Sequence, residues 1–126
     1  MYEAWATRTG REAVGGDGPG GRALTISGLS SYDLLASEAG LHRRLVIDGG
    51  SPLARVSVAL EGPGGVPAEP PAEGGRDGAG TIVRIYDSTR HRAVRDPRTG
   101  VRVKDPDRVL REGLIDAFLL ASLRQR

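Results

Sequence analysis

Apolar positions fall into two rhythms along this chain. From Val109 through Leu110, Leu114, Ile115, Phe118, Leu119 and Leu123 they recur three and four apart, which predicts one wide helical face. The segment has fitting ends. Asp105 is a good N-cap, Pro106 suits the first helical position, and Asp107 complements the positive end of the dipole. Gly113 is costly inside a helix and predicts a break into two short ones. Met1 to Thr9 repeats the rhythm on a smaller scale, with Tyr2, Trp5 and Ala6 on one side and Gly10 as terminator. Elsewhere the period is two. Leu24 and Ile26 oppose Ala23 and Thr25 in a half-buried strand over Arg22–Ser27, and Leu41–Ile47 and Leu53–Leu60 read as two further strands. Asp48-Gly49-Gly50-Ser51-Pro52 between them has hairpin chemistry. Ile82 to Tyr86 is β-branched and bounded by Gly80 and the Asp87-Ser88 turn pair, so it predicts a strand, expected to pair with the 53–60 strand. Ser31–Ser37 predicts a helical turn.

These elements imply an α+β fold: a compact domain with a four- to five-stranded mixed or antiparallel sheet, an N-terminal helix and a C-terminal helix pair. Two stretches interrupt the pattern. Gly15–Gly21 is Gly-rich but lacks the Lys-Ser/Thr of a phosphate loop, and predicts a flexible hairpin loop. Residues 62–80, with Pro63, Pro67, Pro70, Pro71 and many glycines, lack apolar periodicity. They predict a disordered linker within one domain spanning 1–126.

Composition changes the picture in three ways. With five aromatics, the core must be mostly Leu, Val, Ile and Ala. With no cysteine, disulfides and thiolate metal sites are excluded. No apolar run approaches a membrane span and no signal-peptide pattern opens the chain, which predicts a soluble, cytoplasmic protein with no membrane partner. The net charge of +2 hides an asymmetry: residues 81–126 carry eleven Arg or Lys against six acids. A basic half is the footprint of a protein that sits near phosphates, and equally that of a solvated surface in an arginine-biased proteome.

The pattern closely resembles a known family at both ends. Arg95-Asp96-Pro97-Arg98-Thr99-Gly100, then Val109-Leu110, Gly113-Leu114 and Phe118-Leu119-Leu120-Ala121-Ser122-Leu123, resemble the end of bacterial class I peptide chain release factors, most closely the branch that reads UAA and UGA. Met1-Tyr2, Trp5-Ala6, Gly10, Ile26-Ser27-Gly28, Tyr32, Leu35, Glu38, Gly40 and His42-Arg43 resemble that family's stop-codon-recognition domain. In the family the helix matching Met1–Thr9 begins further upstream, and a catalytic domain separates the two regions. Here the 62–80 linker stands in its place. The resemblance implies that the two ends share one body. It also favours a structural role for Asp96, Arg98, Thr99 and Gly100, and the residues themselves suggest a turn in which Asp96 pairs with Arg98 or Arg95.

Family hydrolysis rests on a Gly-Gly-Gln loop, and the single glutamine here is Gln125, preceded by no Gly-Gly pair. The chain is therefore expected not to be an enzyme and to need no cofactor or small-molecule substrate. His42 and His91 have neither a serine elbow nor helical metal-ligand spacing around them. Ser51-Pro52-Leu53, with Arg55 just beyond, occupies the hairpin where the UAA/UGA branch carries Ser-Pro-Phe near the codon. It is a possible codon-proximal loop, and ordinary turn chemistry explains it as well. Arg84, Arg90, Arg92 and Arg102 are the candidates for ribosomal RNA phosphates, since arginine forks pair bidentately with phosphate. The expected function is a non-hydrolytic, release-factor-like protein that binds the ribosomal decoding region in termination or rescue, with a separately encoded Gly-Gly-Gln protein as a conceivable partner. The alternative is a protein-interaction module that keeps the fold without ribosome binding.

Overall fold

The computed structural model describes residues 1–18, 21–61 and 80–125. Apart from Gly80, the expected linker lies outside the described residues. In chain order come helix α1 (Tyr2–Arg8), strands β1 (Glu12–Gly18) and β2 (Gly21–Ser27), helix α2 (Ser31–Leu35) and a 3-10 turn (Ala36–Glu38). Strands β3 (Gly40–Leu45), β4 (Leu53–Val56), β5 (Ile82–Asp87), β6 (Ala93–Arg95) and β7 (Arg102–Lys104) follow, then helices α3 (Pro106–Glu112) and α4 (Asp116–Arg124). The fold is α+β, with a five-stranded mixed sheet in the order β4-β3-β5-β6-β7 and a separate β1–β2 hairpin.

The helix ends form as their residues predict. The Asp105 side chain accepts from the Arg108 N–H at 3.2 Å, and Pro106 sits in the first turn. Gly113 ends α3 at φ +67°, and a Cβ there would lie 2.3 Å from the Trp5 backbone nitrogen. A side chain is thus excluded twice, by the backbone angle and by the close approach of α1. Trp5, Leu35, Tyr86, Val94, Val109, Ile115 and Phe118 meet in one core, which draws on α1, α2, β5, β6, α3, the α3–α4 link and α4.

Three expectations are corrected. Strand β5 pairs in parallel with β3, from Leu41↔Ile82 to Leu45↔Asp87, and not with the strand at 53–60. The reason is burial: β5 is buried or half-buried along its whole length and needs a central place, whereas three of the four β4 residues are exposed and suit an edge. That edge strand is also shorter than expected, ending at Val56. Finally, Gly15–Gly18 is not a loop but the end of β1, paired with β2 down to Gly18↔Gly21. The ladder is a backbone property, so glycines extend it when the partner strand is already in register. The two terminal regions do share one sheet and one core, through β3–β5 and the packing of α1 against α3 and α4.

Candidate nucleic-acid interface

Register sorts the sheet's side chains onto two faces. His42, Arg84, Tyr86, Val94 and Val103 point toward the helices. Arg43, Ile85, Asp87, Ala93, Arg95, Arg102 and Lys104 point the other way.

The inner face carries a buried polar cluster that joins the two ends of the chain. Arg84 is fully buried and bidentate on Glu38, Nη1 to Oε1 at 3.0 Å and Nη2 to Oε2 at 2.5 Å. Its guanidinium also lies over the Phe118 ring, 4.1 Å from the centroid. The Tyr2 hydroxyl donates to the same Glu38 Oε1 at 3.0 Å. Burial opposes the charge on Arg84, but the Glu38 carboxylate more than offsets it, so the guanidinium pKa is raised and the group stays ionised. His42 lies beside this pair, its Nε2 at 2.8 Å from the Glu38 carbonyl and its Nδ1 at 2.8 Å from the Tyr86 hydroxyl. A carbonyl can only accept, so Nε2 carries the proton and Nδ1 accepts from Tyr86. Burial lowers the His42 pKa, which keeps the ring neutral, and raises those of Tyr86 and Tyr2.

Arg84 therefore cannot meet RNA, and its place among the RNA-binding candidates is withdrawn. Its setting between Val83 and Ile85 in an apolar strand was the available signal, since an arginine there is buried and must be paired. The turn at 96–100 is structural, as the resemblance implies. Buried Asp96 accepts from the Arg98 N–H at 2.8 Å and from Nη2 at 3.0 Å, and Gly100 turns at φ +79°. Arg98, not Arg95, is its partner.

The outer face is different. Arg102 is exposed there, and Arg90 and Arg92 lie exposed in the β5–β6 turn. Sequence reasoning missed Lys104 and left Arg95 out of the RNA candidates as a possible partner of Asp96; both are exposed on the same face. Among the described residues none of these five cations forms an ion pair. Arg95 and Arg102 stand directly opposite each other in the β6–β7 ladder. A recess of about 80 Å³ lies between them, lined also by Asp87, His91 and Ala93. The Asp87 carboxylate accepts from the Thr89 N–H at 2.9 Å and from the Thr89 hydroxyl. Those hydrogen bonds, aided by nearby His91 and Arg95, hold its pKa below the ordinary carboxylate value.

Ser51, Pro52 and Leu53 lie exposed at the tip of the β3–β4 hairpin, with Arg55 exposed on β4. The tip is held by Asp48, whose side chain accepts from the Gly50 N–H at 2.9 Å, and by Gly49 at φ +90°. Ile47 beside it is 86% exposed. The hairpin tip and the basic face are thus separate features joined by one sheet. Among the described residues no group of three His, Asp or Glu side chains could hold a metal ion, and no helix is long and apolar enough to cross a membrane.

No family model matches the sequence, and no curated protein sequence matches it. The architecture is that of a release-factor-like fold. Specifically, it is similar to RF2 of Thermus thermophilus, with a TM-score of 0.58 at 20% identity. The match covers 100% of this chain and 62% of that one, so the chain spans less than two thirds of the protein it resembles.

Proposed function

We propose that this chain is a non-hydrolytic, release-factor-like protein of the cytoplasm that binds the decoding region of the ribosome in termination or rescue. One observation carries the reading: the whole chain follows a release-factor-like fold, yet its sequence holds no Gly-Gly-Gln. The fold brings an exposed Ser51-Pro52-Leu53 tip, the feature that resembles the codon-proximal loop of the UAA/UGA branch. Hydrolysis, if it follows binding, comes from a separately encoded Gly-Gly-Gln protein.

The test is sedimentation with ribosomes across a salt series, with and without a stop codon in the decoding site, alongside a peptidyl-tRNA release assay. Expected are salt-dependent co-sedimentation and no release by the chain alone. Recovery of no ribosomes even at low salt overturns the proposal. A protein-interaction module is the competing reading, favoured by exposed Ile47 and Leu53 at the hairpin tip. It predicts ribosome-free capture of a protein partner that Ile47→Asp abolishes and arginine substitutions leave intact.

A further inference from the structure

We infer that the β6–β7 end of the sheet's outer face, where Arg95, Arg102 and Lys104 are exposed, is a seat for an RNA sugar–phosphate backbone, with the recess between Arg95 and Arg102 holding phosphate oxygens. The inference rests on the ribosome-binding reading above but names a surface and a chemistry that it leaves open. Three observations converge.

First, Arg95 and Arg102 are a directly opposed like-charge pair, which destabilises a ladder unless an anion lies between them. Lys104, one step along the same face, adds a third positive charge. No acid among the described residues pairs with any of the three. Asp87, the carboxylate that lines the recess, interacts electrostatically with Arg95 but is hydrogen-bonded to Thr89.

Second, the arrangement has the shape of a backbone contact. Arg90, His91 and Arg92 in the turn, followed by Arg95, Arg102 and Lys104 across two strands, form a strip and not a point. Arginine forks spaced along a strip suit successive phosphates.

Third, the face carries no Phe, Tyr or Trp among the described residues, because Tyr86 points to the helices and Trp5 and Phe118 are in the core. The large aromatic platforms of single-strand binders are thus missing from this face, and recognition is mainly of charge spacing and not of sequence.

The test uses the full chain, the variants Arg95→Ala/Arg102→Ala/Lys104→Ala and Asp87→Asn, and three probes: ribosomes, a labelled oligouridine and poly-glutamate. The triple variant should bind ribosomes and oligouridine roughly tenfold or more weakly at low salt, with a shallower dependence of log K on log salt. Asp87→Asn keeps an acceptor for Thr89 while removing a negative charge, so it should bind both a few-fold more tightly. Circular dichroism of each variant establishes that the fold is intact; should the triple variant not fold, Asp87→Asn decides alone. If ribosomes bind the triple variant and the parent alike, this inference falls and the ribosome reading stands. If oligouridine binds and ribosomes do not, the ribosome reading falls and the face remains an RNA seat. Equal affinity for poly-glutamate and oligouridine at matched charge overturns the RNA assignment in favour of an acidic protein surface.

Discussion

One sheet presents the same residue type to two environments, and the contrast between its faces explains much of this molecule. On the inner face Arg84 has lost all contact with water, and Glu38, Phe118 and, at 3.7 Å, Asp96 surround its guanidinium. On the outer face Arg95 and Arg102 are solvated, unpaired and opposed. A buried charge is tolerable only when paired, so the inner arginine serves to lock the chain's two ends together. An exposed arginine contributes little to folding and is available for a ligand. Residue parity along a strand, not residue type, decides which of these an arginine becomes.

The comparison can be broken most forcefully from the inside. Arg84→Ala leaves Glu38 buried without its counter-charge and should cost about 3–5 kcal/mol, read by chemical denaturation. The double variant Glu38→Leu/Arg84→Met should recover most of that loss, because it removes both charges together. A double variant no more stable than Arg84→Ala would show that the pair is not the lock.

Asp96→Ala should cost less, about 1–3 kcal/mol, since it strips buried acceptors from the 96–100 turn. The same variant frees Arg98, so any RNA affinity should hold or rise while the melting temperature falls. A fall in both would mean that the turn and the basic face are coupled.

His42 sharpens the inner side of the contrast through pH. The groups that face it are Glu38, Tyr86, Arg84 and Arg98, and burial is the main cause of its lowered pKa. The unfolded chain binds a proton at about pH 6.5, where the native ring is still neutral. Its contribution is therefore fully present above that value and is lost as pH falls through the native pKa. Stability should decline on acidification below about pH 6.5, and His42→Gln should flatten this part of the curve.

The smallest effect belongs to the outer face. Arg95→Ala/Arg102→Ala should leave stability within about ±0.5 kcal/mol, or raise it slightly by relieving repulsion, in equilibrium denaturation. A loss above about 2 kcal/mol would place these two arginines in the folding machinery and erase the distinction between the faces.

The local elements were legible because their causes are local. Asp105, Pro106 and Gly113 bracket α3, the three-four spacing marks α4, and the β-branched run at 82–87 is a strand wherever it sits. The turn between β3 and β4 was legible to the same degree, as Asp48, Gly49 and Gly50 dictate a tight turn. The sequence by itself determined the helices, the strands β2 to β5, the absence of a Gly-Gly-Gln loop and the location of the excess positive charge, but not the short strands β1, β6 and β7, whose residues carry little apolar alternation. Only the tertiary structure decided that β5 lies beside β3, and with it that Arg84 faces the helices while Arg95 and Arg102 face away. The physical reason is range. Caps and turns are settled within a few residues, whereas strand neighbours are chosen by burial between segments far apart in the chain, here Leu41 with Ile82, a pairing that also brings Arg84 to Glu38 at a separation of 46.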